Sequence, residues 1–251
     1  MPDVTLGDIR VVHTEKDFLV IEKPAGIPSS EELYPEGFLV HRIDTATQGL
    51  LLFAHNADAY AYFVQEQAAG RFTKHYTAHC DIAPNNAEKT SGFPPQRFLE
   101  KTAFTDSLFS ARPHERLVVQ STFRPWGAGR KEVRPVSSEC GHFAQKKGGK
   151  TVYETTIDFA ADFTASGKNM LDKKRVLTVG CFLTRGFRHQ VRCHLAWLGL
   201  PVVNDVLYNY AFRSGMQRTP EADLPQMQFF ADALIFHHPA TGELTKICVN
   251  G

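Results

Sequence analysis

Asp44 stands where an apolar run meets a turn, in the segment His41-Arg42-Ile43-Asp44-Thr45-Ala46-Thr47-Gln48-Gly49. A carboxylate at a strand end has two ordinary fates. It can form the turn by accepting bonds from nearby backbone N–H groups, or it can act as a base or nucleophile if it stays ionised and reachable. On the local triplet alone, the turn-forming fate is the commoner. Far along the chain, Arg188, His189 and Arg192 recur at spacings of three and four within Arg188–Leu198, where Val191, Leu195 and Leu198 keep a helical period. That spacing predicts a helix with all three polar side chains on one face near its start. Cations at a helix N-terminus oppose the helix dipole by ~0.3–1 kcal/mol each. The cluster therefore makes better sense facing an anion, either a carboxylate or a phosphate; the plain alternative is a solvated polar face. A third segment, Lys74-His75-Tyr76, lies within the apolar run Phe72–Cys80. Its tyrosine is either a half-buried strand residue or an aromatic platform.

The elements that must hold these groups are mostly strands. Ile9–His13 and Phe18–Lys23 predict a hairpin, followed by a loop at Lys23-Pro24-Ala25-Gly26. Phe38–Ile43 and Gly49–Ala54 predict two strands flanking the Asp44 turn. Asn56 reads as the N-cap of a helix with Asp58 in its first turn, Tyr60, Phe63 and Val64 along one face, and Gly70 past its end. Phe72–Cys80, Val152–Phe159 and Arg175–Leu183 read as further strands, and Gln228–His238 with Leu244–Val249 as a closing hairpin. The stretch from Pro84 to Lys150 is poorly patterned and basic, carrying Arg124, Arg130, Lys131, Arg134, Lys146, Lys147 and Lys150. The fold class expected is α+β: a mixed, mainly antiparallel sheet with a few flanking helices, in one domain spanning 1–251 with a basic insertion at about 84–150.

Composition excludes several classes. Lys plus Arg number 28 against 27 Asp plus Glu, so any polyanion binding must come from local clustering of charge. The five cysteines are odd in number and never spaced Cys-x-x-Cys, which predicts reduced thiols in a cytoplasmic protein rather than disulfides or a zinc site. His189 and His194 lie five apart and His237-His238 are adjacent, both wrong for shared metal ligation. The opening residues lack a signal-peptide pattern, and no stretch approaches ~18 apolar residues, so no membrane segment is expected.

The segments resemble the motifs of RluA-type pseudouridine synthases. His41-Arg42-Ile43-Asp44, followed after two residues by Thr47-Gln48-Gly49, is similar to that family's His-Arg-Leu-Asp-x-x-Thr-Ser-Gly signature. Asp17–Gly26 resembles its opening strand and Lys-Pro-x-Gly loop, Lys74-His75-Tyr76 its Lys-x-Tyr motif, and Gly186–Leu195 its Gly-Arg-x-His-Gln-Ile-Arg-x-His run. Gly199, Pro201, Asp205, Tyr208, His238-Pro239 and Thr241-Gly242 continue the match in order. Departures are Gln48 in place of Ser, Phe187 in place of the first Arg of the late motif, Leu200 and Asn204 where the family commonly has His and Gly, Phe230 where it often has His, and the 84–150 stretch, which is longer than the resemblance leads one to expect.

The resemblance implies a pseudouridine synthase acting on ribosomal or transfer RNA. Asp44 would be the catalytic carboxylate, Arg192 its ion-pair partner, and Tyr76 the residue against the flipped base. Arg42, Thr47, Lys74, Arg188, His189 and Gln190 would contact substrate. No cofactor, metal or obligatory protein partner is implied. The chemistry suits these groups, because a carboxylate buried near phosphates would lose its charge unless a guanidinium held it. An extruded base costs a few kcal/mol, and stacking on a ring returns ~1–3 kcal/mol. Arg130, Lys131 and Arg134 are expected to touch the RNA backbone. Two rivals compete: an inactive RNA-binding protein that keeps the fold, and a sugar hydrolase, which lacks an evident second carboxylate.

Overall fold

A computed structural model describes residues 9–82, 92–94, 116–166, 174–215 and 224–249. In chain order its elements are β1 (Arg10–Thr14), β2 (Phe18–Lys23), β3 (Phe38–Leu39), β4 (Gln48–Ala54), α1 (Ala57–Ala68), β5 (Thr73–Asp81), β6 (Arg116–Trp126) and β7 (Glu132–Val136). They continue with α2 (His142–Lys147), β8 (Tyr153–Ser166), β9 (Lys174–Leu183), α3 (Gln190–Trp197), α4 (Tyr210–Gly215), β10 (Phe229–His237) and β11 (Leu244–Cys248). Packing divides the chain into two compact units. The first takes Met1–Thr77, Phe182–Arg185 and Phe229–Gly251, and the second takes Ala78–Cys181 and Gly186–Gln228.

In the first unit the strand order is β1-β2-β4-β10-β5, with β3 added to β4 and β11 to β10. β1, β2 and β4 pair antiparallel, β10 and β11 form the expected closing hairpin, and β10 runs parallel to β4. The sheet is mixed and mainly antiparallel, as the sequence predicts. Residues Gly49–Ala54 of β4 are all buried, which is why this strand reads as a continuous apolar run rather than an alternating one. Asn56 caps α1 by accepting the Ala59 N–H at 2.8 Å. The buried stripe of α1 is Ala59, Phe63 and Glu66; Tyr60 and Val64, expected on the inner face, are 37% and 43% exposed. Phe63 fixes the helix rotation by meeting Phe18 and Phe236 edge-on, with centroids 5.8 and 5.3 Å away.

In the second unit β9, β8, β6 and β7 follow one another in the sheet. β6 pairs antiparallel with both β7 and β8. Both β6 and β7 lie in the stretch that sequence patterning leaves unstructured. All five residues of β7 are buried, yet they read Glu-Val-Arg-Pro-Val. The charges hide the strand, because Glu132 and Arg134 neutralise each other at 2.7 Å inside the fold. The helix expected over Arg188–Leu198 is also shorter. Its N-cap His189 holds a left-handed backbone, φ +56°, so Arg188 lies outside the helix and shares no helical face with Arg192.

Two glycines beside the Asp44 turn test this geometry. Gly26 has φ +88° and open space around a notional Cβ, so Gly26→Ala should cost only the left-handed strain of about 1–2 kcal/mol. Gly49 has φ +136°, and its Cβ would lie 2.1 Å from the Ala231 carbonyl oxygen on β10. Gly49→Ala should therefore lose clearly more stability than Gly26→Ala in urea denaturation. Equal losses would contradict the close approach of β4 and β10.

Candidate active site

Asp44 opens a turn closed by the Thr47 N–H, which donates to the Asp44 carbonyl at 2.9 Å. This turn does not stand alone. The Gly26 N–H donates to the Thr45 carbonyl at 2.8 Å. Ser29 grips Ile43 from both sides, its hydroxyl donating to the Ile43 carbonyl at 2.8 Å and accepting the Ile43 N–H at 3.1 Å. Lys23, fully buried at the end of β2, sends its ammonium to the carbonyls of Pro24 (2.7 Å), Ile27 (2.7 Å) and Thr45 (3.3 Å). Burial pushes the Lys23 pKa down to about 8, while the Asp44 charge works to raise it. The Lys-Pro-x-Gly loop thus clamps the Asp44 turn, with a cation under it and the carboxylate half-exposed. Sequence reasoning assigned Lys23 no role. The available signal was its parity, since it falls on the same strand face as Leu19 and Ile21.

Strand register brings Tyr76 to the same region. Phe230 on β10 pairs with Gln48 of β4, and the neighbouring Phe229 stacks on Tyr76 of β5 with centroids 5.0 Å apart and planes at 6°. One strand separates β4 from β5, a span of ~10 Å. Tyr76 is 7% exposed, so Phe229 occupies one face of a ring that is already largely buried. Lys74 shares its strand face and is 6% exposed. Burial pushes the Lys74 pKa down to about 8. Nearby His41 is buried and neutral, its pKa pushed down to about 3 by burial and then by the charge of Lys74. Arg42 is exposed beside Asp44. Thr47, expected to contact substrate, is instead 1% exposed, with Oγ1 sealed and without a partner among the described residues.

The second unit holds the remaining expected residues. The Arg192 Nε and Nη2 donate to the two Asp205 oxygens at 2.8 Å each, with both side chains buried. Burial works to raise the Asp205 pKa, but the Arg192 charge and bonds, together with the Leu207 and Tyr208 N–H groups, hold it below the usual range. Asp205 thereby sets the plane of the guanidinium, a role the sequence reading did not give it. Gln190 is 2% exposed and spends its amide on the fold. It accepts the Phe187 N–H at 2.9 Å and donates to the Glu154 carbonyl at 2.8 Å and Thr155 Oγ1 at 3.1 Å. His189 Nδ1 meets the Tyr208 hydroxyl at 3.2 Å. The Arg188 Nη2 donates to the Arg130 carbonyl at 2.6 Å, pinning the tip of the β6–β7 hairpin. Of the expected backbone-contacting cations, Arg130 and Lys131 are exposed there. Arg134 is not: it is 2% exposed, paired with Glu132, and lies 4.5 Å from the Phe93 ring.

Comparison with known proteins bears on what this arrangement is. The profile of the family described as RNA pseudouridylate synthase matches residues 17–197. RNA pseudouridine synthase 7 of Oryza sativa subsp. japonica is 27% identical over 232 residues, covering 85% of this chain and 48% of the rice protein. The dual-specificity RNA pseudouridine synthase RluA of Salmonella typhi is 25% identical over 249 residues, covering 92% of this chain and 88% of its own. The chain spans about half the length of the Oryza sativa and Arabidopsis thaliana relatives it matches, 48% and 46%. The solved structure of human RNA Pseudouridylate Synthase Domain Containing 1 superposes with a TM-score of 0.64 at 20% identity, over 99% of this chain and 86% of that one, and so shares the fold. With a profile match over well more than half its length, the chain belongs to the RNA pseudouridylate synthase family.

Proposed function

We propose that this chain isomerises uridine to pseudouridine in ribosomal or transfer RNA, with Asp44 acting on the ribose, Tyr76 set against the base and Arg192 as the counter-charge of Asp44. The observation that carries the reading is the clamped, half-exposed Asp44 carboxylate. A turn tied by Lys23, Gly26 and Ser29 holds an acid in place far more firmly than a surface turn requires. The reaction breaks the N1–C1′ bond, turns the base and joins C5 to C1′. N1 gains a proton, C5 loses one, and no electrons are exchanged. A carboxylate serves this by attack at C1′ or by removal of a sugar proton, and both routes need it ionised. A guanidinium is a planar fork of donors, and Asp205 fixes its plane, which is the preorganisation a second carboxylate would use. Arg42, exposed next to Asp44, and Lys74, largely buried on the strand face it shares with Tyr76, are the proposed substrate contacts in the first unit. Five thiols without a disulfide suit a reducing compartment, the cytoplasm.

RNA carrying tritium at uridine C5 tests the chemistry, since rejoining through C5 must release it. Asp44→Asn should abolish release while RNA binding persists; sustained release by pure Asp44→Asn protein would remove Asp44 from the mechanism. A folded wild-type protein that binds RNA and releases nothing would favour the inactive-binder reading.

Lys74 gives a test with a definite sign. Its folded pKa, about 8, lies below the ordinary value of 10.5, so burying the cation destabilises the fold at neutral pH. The cost is on the order of 3 kcal/mol, fully present below pH 8, and it fades as pH rises towards the unfolded value. Lys74→Met should therefore raise thermal stability at pH 7, lose that advantage near pH 10, and weaken substrate affinity. A destabilised Lys74→Met protein with unchanged affinity would show that Lys74 is only structural.

A further inference from the structure

The short helix α2 and the residues after it read His142-Phe143-Ala144-Gln145-Lys146-Lys147-Gly148-Gly149-Lys150. None of the six helical residues is buried, and Phe143 is 68% exposed. A helix this short is not stable on its own. It is held instead by backbone tethers. The Gln145 amide donates to the carbonyls of Ser138 (2.9 Å) and Cys140 (2.7 Å), and the Gly149 N–H donates to the Phe123 carbonyl at 3.0 Å. The fold thus maintains a projecting turn that contributes nothing to its own core. Lys147 places its ammonium 4.3 Å from the centroid of the Phe143 ring. Lys146 and Lys150 are exposed beside it, and no acidic residue occurs between Glu139 and Glu154.

An exposed aromatic face next to uncompensated cations is the chemistry of a single-stranded nucleic acid, whose bases stack on rings while its phosphates meet lysines. We infer that α2 is an accessory RNA-binding surface: Phe143 stacks on an unpaired base of the substrate RNA, and Lys146, Lys147 and Lys150 take its phosphates. The charge argues for a polyanion over an apolar protein groove, because an apolar partner would leave three ammonium groups desolvated. This inference rests on the chain being an RNA-modifying enzyme, but it concerns residues outside the proposed catalytic set.

The test uses the whole chain and a fluorescein-labelled single-stranded oligouridine in a titration at several salt concentrations. Phe143→Ala should weaken binding roughly 5-fold or more, and Phe143→Trp should preserve it. Lys146→Ala with Lys147→Ala and Lys150→Ala should flatten the slope of log affinity against log salt by about 2. All these side chains are exposed, so thermal unfolding should be unchanged. Unaltered affinity in Phe143→Ala and an unaltered slope in the triple variant would overturn the inference and leave a protein as the occupant of this surface. Weakened binding in the variants, alongside a wild type that releases no tritium, would support the surface while removing the enzyme reading.

Discussion

A lysine withdrawn from water must find acceptors for its three protons, and Lys23 finds them in the carbonyls of Pro24, Ile27 and Thr45. Two of these belong to the loop after β2 and the third to the turn that carries Asp44, so one ammonium joins segments distant in sequence. Moving the turn would strand a buried cation, which is costly in a way that losing an apolar contact is not. The bonds from Gly26 and Ser29 work in the same direction. The position of the candidate carboxylate is thus set by charge burial rather than by the turn residues themselves.

The second unit uses the same physics with opposite partners. Arg192 and Asp205 are both buried and joined by two parallel hydrogen bonds, and Asp205 also accepts two backbone N–H groups. Arg134 and Glu132 form a second buried pair, which Arg213 joins at 3.2 Å. Such pairs contribute little net stability, since desolvation offsets most of the attraction, but they tolerate few alternative arrangements. A guanidinium held this way keeps one orientation. That is of more use to a site than to a core. Phe187 adds an aromatic contact to this frame. It stacks on Phe123 with centroids 5.0 Å apart and planes at 5°, and it meets Tyr153 at the same distance. The ring serves packing, while the Phe187 N–H braces the α3 start by donating to the Gln190 side chain at 2.9 Å.

Much of the frame was legible because it is local. Apolar runs, continuous in β2 and β4 and alternating in β5, located the strands β2, β4, β5, β9 and the β10–β11 hairpin, and the Asn56 cap located α1. Asp44, Tyr76 and Arg192 stood out because their segments resemble the family's motifs. The readings that failed are those where a residue's partner is remote. β7 looked like a basic loop because Glu132 and Arg134 are charged, and nothing nearby in sequence says that they cancel. The inner face of α1 was misread because the small Ala59 and the paired Glu66 face inward, while the larger Tyr60 and Val64 do not. Glu66 is inside because Arg71 and His237 meet it there.

By itself, the sequence determined which chemical groups are present, their order along the chain, and the α+β character of the elements that carry them. Those properties follow from side-chain type and short-range periodicity. Only the tertiary structure decided that Lys23 anchors the Asp44 turn, that Asp205 holds Arg192, that Gln190 and Thr47 serve the interior, and that Arg134 is sealed within the second unit. Each of those outcomes depends on whether a buried polar atom finds a partner from another part of the chain, and that is settled by the fold, not by neighbours in sequence.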